Sequence, residues 1–242
     1  MLEHRPYESL GGIGRDWLKA RLHFRFGELG RPEHDPLGAL YIWNDDEFAP
    51  LSGFGMHPHR NVEIVTYVCD GAITHVDNVG NAARIEAGNV QVMSAGSGVL
   101  HSERNEEAQP TRLFQIWLAP RSTDGKPRWA TRRIDAGEES GRFAVLASGE
   151  HADVRAGALF IDADARVLGM KLRAGDTFVH AMPPRSQAYL VTTIGRLDVA
   201  GVFMAPRDGL AVSERTSLTI TAVDDTAIVM VQLLAPAHLD AS

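Results

Sequence analysis

From residue 62 to residue 118 the sequence repeats one pattern: a short run of apolar and β-branched residues followed by a turn that contains glycine. Residues 62–68 form the first run, and Asp70-Gly71 follows it as a hairpin turn signal. Residues 72–77 form the returning run, and similar runs continue to Leu118. Short strands at this spacing are typical of a double-sheet jelly roll or barrel. The pattern therefore predicts an all-β fold.

The same pattern of short apolar runs and glycine-containing turns resumes after a charged, proline-containing segment at residues 120–131. Nine candidate strands follow it, with turn signals such as Gly175-Asp176 and Asp208-Gly209 between them. A segment of this composition is typical of a domain boundary. We therefore predict two domains, at residues 1–125 and 126–242, of which the second is a degenerate copy of the first.

The composition of the chain excludes several classes of function. The chain of 242 residues has a net charge of −7 and no basic patch, so nucleic-acid binding lacks its electrostatic basis. One cysteine, Cys69, excludes an internal disulfide and a cysteine-based zinc site, and it suits a reducing cytoplasm. No apolar run has signal-peptide or membrane-spanning character. We expect a cytoplasmic protein, monomeric, without nucleic-acid or membrane partners.

Two pairs of metal-ligating residue types lie in the first domain. His57 and His59 are separated by one residue, and so are His101 and Glu103. In a strand, residues i and i+2 point to the same face, so each pair can project together. A single His-x-His pair is a weak signal, but here both pairs lie beside glycines and a strand-rich segment separates them. Three imidazoles and one carboxylate suit iron, copper, nickel or manganese, and leave two positions open on a six-coordinate ion.

The two motifs in full are GMHPHRNVEIVTYV at residues 55–68 and QVMSAGSGVLHSE at residues 91–103. They resemble the paired signatures of the pirin family in the cupin superfamily. The resemblance implies a bicupin: two jelly-roll-like β-barrels in tandem with few short helices. It also implies metal ligation by His57, His59, His101 and Glu103, with one divalent ion per chain. Fe(II) is the expected ion, and Cu, Ni, Mn or Zn are alternatives.

Other polar residues are left outside the ligand set. Glu63 lies one residue early for the glutamate ligand of ordinary cupins, so we leave it out of the ligand set. Whether it lines the cavity or braces a histidine stays open. His75 follows a hairpin, and alternation leaves its direction open. The second half has neither paired motif; its histidines are scattered, and we expect no metal there. These are His151, His180 and His238.

Some pirins resemble quercetin 2,3-dioxygenases, which implies cleavage of a flavonol with O2 and release of CO. On that reading Glu103 is a ligand and a candidate proton acceptor. Phe54, Met56 and Val92 are candidate walls of an apolar cavity, although a core position is the simpler interpretation of each. Two alternatives stay open. The protein could be a non-catalytic, redox-sensing metal protein that acts through a protein partner, or an enzyme with a different cupin chemistry.

Overall fold

The computed structural model describes residues 1–134, 137 and 139–235. These residues are almost entirely β-structure, with one α-helix, α1 (His151–Arg155), and one 3-10 turn at Tyr7–Ser9. None of the described helices has the length and apolar character needed to cross a membrane. In chain order the strands are β1 (Leu2–Arg5), β2 (Gly11–Arg15), β3 (Leu18–Leu22), β4 (Leu40–Phe48), β5 (Ser52–His59), β6 (Glu63–Asp70), β7 (Ala72–Asp77), β8 (Ala82–Glu86), β9 (Val90–Ser94), β10 (Val99–Asn105), β11 (Thr111–Leu118), β12 (Arg128–Arg132), β13 (Ala144–Ser148), β14 (Leu159–Phe160), β15 (Ala165–Leu172), β16 (Thr177–Ala181), β17 (Gln187–Ile194), β18 (Leu197–Val199), β19 (Val202–Met204), β20 (Gly209–Val212), β21 (Ser217–Ala222) and β22 (Thr226–Leu233).

The chain divides into two compact units. The first contains Gly11–Ile134 and Leu159–Ala163; the second contains Met1–Leu10 and the described residues of 137–158 and 164–235. Each unit is a sandwich of a larger and a smaller antiparallel sheet. The predicted bicupin fold is confirmed, although the sheets face each other without closing into a barrel in the described residues.

In the first unit the larger sheet has the strand order β12-β9-β6-β11-β4-β3-β2, and the smaller has the order β5-β10-β7-β8. Apolar side chains from both sheets fill the space between them: Phe48, Val68 and Leu113 come from the larger sheet, and Ile73 and Ile85 from the smaller one. The two metal motifs lie on neighbouring strands of the smaller sheet, β5 and β10. The fold thus brings together residues about forty positions apart in the sequence.

In the second unit β1, β20, β17, β22, β15 and β13 lie side by side, and β16, β21, β18 and β19 form the smaller sheet. Its core is also apolar on both inner faces, with Met170, Leu190 and Met230 from one sheet and Leu218 and Ile220 from the other. The second unit repeats the architecture of the first one, as the pattern of strands and turns in the sequence predicts.

Strand pairing does not follow the predicted boundary between residues 125 and 126. β12 lies beyond that boundary but pairs with β9 of the first unit, with Trp129 opposite Met93. β1 lies before it but pairs with β20 of the second unit, with Leu2 opposite Val212. Both are short strands at the edge of a sheet, and each pairs its backbone with a strand that is distant in sequence. If the two domains are to be separated, β12 therefore has to be assigned to the first one and β1 to the second.

Candidate metal centre

β5 and β10 are antiparallel neighbours, and their register places His57 opposite His101 and His59 opposite Val99. The ladder is irregular between His101 and Glu103, so Glu103 lies opposite Phe54. An irregularity of this kind re-aims a side chain and is frequent beside functional sites. The predicted period-2 geometry therefore holds for both pairs, and the extra residue of the irregularity lies on β5, between Phe54 and His57.

The three predicted histidines lie together. Ring centroids are separated by 4.4 Å for His57 and His101, 4.8 Å for His57 and His59, and 4.9 Å for His59 and His101. One donor nitrogen from each ring lies within 4.8 Å of the other two. This separation suits three imidazoles on one transition-metal ion.

The hydrogen bonds of two of these rings show which nitrogen is free for a metal. The Nδ1 atom of His57 lies 2.8 Å from the carbonyl oxygen of Gly55, which can only accept, so Nδ1 carries the proton and Nε2 has the lone pair. The Nε2 atom of His101 is buried and has no hydrogen-bond partner. A buried, unpaired nitrogen is costly unless a ligand satisfies it. Both rings therefore fit a metal bound through Nε2.

Burial and neighbouring histidines favour the neutral forms of His59 and His101. Burial, followed by the neighbouring His57 and His59, lowers the pKa of His101 to about 2. Burial, followed by His57, lowers the pKa of His59 to about 4. At neutral pH both rings are thus the neutral imidazoles that metals bind.

Glu103 is buried, and three side chains hold its carboxylate. Gln91 Nε2 donates to Oε1 at 2.7 Å, Thr66 Oγ1 donates to the same oxygen at 3.4 Å, and Gln115 Nε2 donates to Oε2. Burial raises the pKa of Glu103 to about 7, although these three hydrogen bonds act in the opposite direction. The carboxylate is therefore oriented from both sides before any ligand is present.

Glu103 and the three histidines do not form one compact group. Among the described residues, a second set of donor atoms within 4.8 Å of one another contains His75, His101 and Glu103. His101 belongs to both sets and joins them. The structure thus brings His57, His59 and His101 together and places Glu103 beside His101, on the side of His75.

A cavity of about 210 Å³ opens at this cluster. Of the predicted walls, Phe54 lines it, whereas Met56 is 54% exposed and Val92 is buried in the core. Trp117 is a wall that the sequence did not indicate, and its ring meets His59 edge-on at 4.9 Å between centroids. The full lining consists of Asn44, Asp46, Phe54, His57, His59, Ile64, His101, Glu103, Gln115 and Trp117.

Asp46 is a second carboxyl group in the lining. It is 3% exposed, and its Oδ1 atom has no hydrogen-bond partner. Burial, followed by the nearby Asp45 and Glu103, raises its pKa well above the usual range. Asp46 lies within β4 and contributes a polar atom to the cavity, and no motif in the sequence marks it as a site residue.

Glu63 does not reach the cavity. Its side chain is buried, and Oε2 accepts a hydrogen bond of 2.7 Å from Ser94 Oγ. Glu63 is not among the residues that line the cavity, and none of its described bonds goes to a histidine. The second unit has no metal-capable group among its described residues: His180 lies 3.3 Å from Gln232 Nε2, and His238 lies outside the described residues.

Comparison with known proteins agrees with the fold and the motifs. The family model described as pirin matches residues 3–118, and the quercetinase C-terminal cupin domain matches residues 145–233. The chain is 48% identical to a pirin-like protein of Caulobacter vibrioides, over 96% of this chain and 99% of that protein. It is 32% identical to a quercetin 2,3-dioxygenase of Escherichia coli, again over 96% and 99% of the two chains.

Solved structures give the same result. The crystal structure of YhhW from Escherichia coli superposes with a TM-score of 0.91 at 31% identity, over 98% of this chain and 99% of that one. A second crystal structure, of bacterial pirin YhhW with nickel(II), superposes with a TM-score of 0.90 at 30% identity, over 98% of this chain and all of that one.

Proposed function

This chain belongs to the pirin family, and on that premise we propose that it is a metal-dependent dioxygenase that cleaves a flavonol such as quercetin with O2 and releases CO. The observation that carries the proposal is the joint position of three imidazoles and Glu103 in the lining of one cavity. The name of the Escherichia coli relative, quercetin 2,3-dioxygenase, supports the substrate class.

The metal in this proposal is a single divalent ion held by His57, His59 and His101, whose donor atoms lie within 4.8 Å of one another, and by Glu103, which lies beside His101. Fe(II) is our first choice, and the nickel complex of the Escherichia coli pirin supports Ni(II) as a usable alternative. A divalent ion held by these residues would supply positive charge that lowers the pKa of the 3-hydroxyl group of a bound flavonol. The donor set also admits Cu, Mn or Zn.

Glu103 is the proton acceptor in the proposed reaction. Its carboxylate lines the cavity, and Gln91 and Gln115 each hold one of its oxygens. Burial raises the pKa of Glu103 to about 7, so this carboxylate accepts a proton more readily than an exposed one. Glu103 therefore takes the 3-hydroxyl proton, which leaves the ring system electron-rich toward O2.

The apolar walls exclude water from the reacting atoms. Phe54, Ile64 and Trp117 line the cavity, and Trp117 offers a ring face or edge to a flat aromatic substrate. The volume of about 210 Å³ is below the roughly 300–1,000 Å³ of typical small-molecule sites. We infer that the chelating end of the flavonol enters the cavity while the rest of the molecule remains at the mouth.

The test is Glu103→Gln, which preserves size but removes the negative charge and the basicity. We expect this variant to keep much of its metal, because three imidazoles remain, and to lose about 10²–10⁴-fold in flavonol turnover. Glu106→Gln is the matched control: Glu106 is exposed, three positions away, and bonds to Thr74 at 3.0 Å. Wild-type turnover by metal-loaded Glu103→Gln would refute the role of Glu103 as the base.

We further propose that the protein acts in the cytoplasm, on a small-molecule substrate and O2. If the metal-loaded wild type takes up no oxygen with any flavonol, the redox-sensing regulatory reading becomes the better one. In that case a partner protein should bind one oxidation state of the iron and not the other.

A further inference from the structure

His75 lies behind the proposed metal centre, on β7. Its side chain has no solvent exposure, and register places it opposite Glu103 of β10. Its ring stacks on Trp129, with centroids 5.2 Å apart and planes 20° from parallel. The ring is therefore held between β10 and β12, where it has little freedom to rotate.

Two hydrogen bonds connect His75 to its surroundings. Its Nδ1 atom lies 3.4 Å from Nδ1 of His101, and its Nε2 atom lies 3.4 Å from Oδ2 of Asp77. Asp77 is itself fixed, since its Oδ1 accepts from the backbone N–H groups of Val79 and Asn81 at 3.0 and 2.8 Å. The side chain of Asn81 donates to Oδ2 at 2.7 Å.

The hydrogen bonds that connect Asp77, His75 and His101 fit one assignment of protons to the ring nitrogens. Asp77, as a carboxylate, can only accept, so Nε2 of His75 carries a proton and donates to it. In a neutral ring Nδ1 of His75 then has the lone pair and accepts from Nδ1–H of His101. That leaves the lone pair of His101 on Nε2, which is the buried nitrogen without a protein partner.

We propose that His75, backed by Asp77, is a positioning residue that fixes the tautomer and ring orientation of His101 for metal binding through Nε2. The inference rests on the metal centre of the proposed function but not on the dioxygenase reaction. Partners that hold the second nitrogen of a ligating histidine orient the ring and raise its basicity, and their loss costs about 10–100-fold in metal affinity.

Trp129 contacts both His75, which lies behind His101, and Gln91, which holds Glu103. Its indole Nε1–H donates to Gln91 Oε1 at 3.0 Å, and Gln91 Nε2 donates to Glu103 at 2.7 Å. One residue of β12 thus holds the ring behind His101 through stacking and the amide behind Glu103 through a hydrogen bond. Both ligands of β10 are braced by the same edge strand.

The first experiment reads the tautomers by histidine ¹⁵N NMR of the full-length, metal-free wild type near neutral pH. We expect Nδ1–H for His101, the tautomer that free histidine disfavours, and Nε2–H for His75. In the zinc-loaded protein we expect Nε2 of His101 to be zinc-bound and His75 to be unchanged. An Nε2–H tautomer at His101, or a zinc-bound nitrogen in His75, would overturn the proposal.

The second experiment measures nickel(II) affinity of full-length variants. His75→Leu removes the acceptor and should weaken binding about 10–100-fold. His75→Asn places an amide oxygen near the position of Nδ1 and should recover most of the loss. Thr74→Val, on the same strand, is the control and should bind as the wild type does.

Equal nickel affinity in folded His75→Leu and wild type would refute the positioning role. If His75→Leu does not fold, the wild-type tautomers still decide the question. A wild type that binds no nickel refutes the metal centre itself, and the metal-free tautomers distinguish that failure from a failure of the His75–Asp77 pair.

Discussion

Gly53 allows a close approach between the backbones of β5 and β10. It lies opposite Arg104 in the β5–β10 ladder, with φ at +151°. A Cβ atom at this position would lie 2.3 Å from the carbonyl oxygen of Glu103 and 2.5 Å from Cα of Arg104. Both contacts are with backbone atoms, so a side-chain rotation cannot relieve them.

We therefore predict that Gly53→Ala destabilises the first unit strongly. A non-glycine residue in a sparsely populated backbone region costs roughly 1–3 kcal/mol. Relieving the overlap with β10 adds about 1–3 kcal/mol. The expected loss is about 2–6 kcal/mol in the free energy of unfolding, accompanied by weaker nickel binding because the backbone of Glu103 must move.

Chemical denaturation followed by tryptophan fluorescence measures this loss selectively. All four tryptophans of the chain, at positions 17, 43, 117 and 129, belong to the first unit. Gly55→Ala is the matched control on the same strand, because a Cβ there meets no atom within 4 Å. It should change stability by no more than about 0.5 kcal/mol. Equal unfolding midpoints for the two variants would refute the close-approach argument.

Three further predictions concern the site. Trp117→Leu removes an aromatic wall worth roughly 0.5–1.5 kcal/mol, so it should raise the KM for a flavonol about 2- to 10-fold while nickel binding persists; an unchanged KM would exclude Trp117 from substrate contact. Cys69→Ser should keep metal and turnover, because Cys69 does not line the cavity; a folded variant without metal would show that the ligand set is wrong. The chain should bind one metal ion, and His57→Ala or His101→Ala should lose it. Free nickel at 100 times its Kd should stabilise the wild type by about 2.7 kcal/mol. Two ions at full occupancy, or no thermal shift when the metal is removed by a chelator, would contradict this prediction.

The sequence could place the members of each candidate ligand pair side by side because each pair is a local pattern. His57 and His59, like His101 and Glu103, lie on one strand, and strand periodicity alone places both members on one face. The irregularity beside Glu103 changes its register partner but leaves its side chain in the cavity lining. The local geometry of a strand was therefore enough to predict that the two members of each pair lie on one face.

The supports of the ligands were not predictable because they depend on pairing between distant strands. The direction of His75 is decided by the pairing of β7 with β10, and hairpin alternation alone left it open. Trp129 reaches the site only through the β12–β9 pairing, beyond a segment whose composition resembles a linker. Gln91 and Gln115 come from two further strands of the larger sheet.

The first strand shows the same limit on a larger scale. β1 continues directly toward β2 of the first unit in sequence, but its backbone pairs with β20 near the other end of the chain. Nothing in its composition distinguishes one edge from the other. Register with a remote strand is a property of the folded molecule and not of the local sequence.

The stoichiometry of gas exchange tests the central claim most directly. Full-length protein loaded with Fe(II) or Ni(II) should consume one O2 and release one CO for each quercetin cleaved, and His101→Ala treated in the same way should do neither. Oxygen uptake without CO would contradict flavonol ring cleavage as the reaction. CO release at the wild-type rate by His101→Ala would contradict the metal centre as its site.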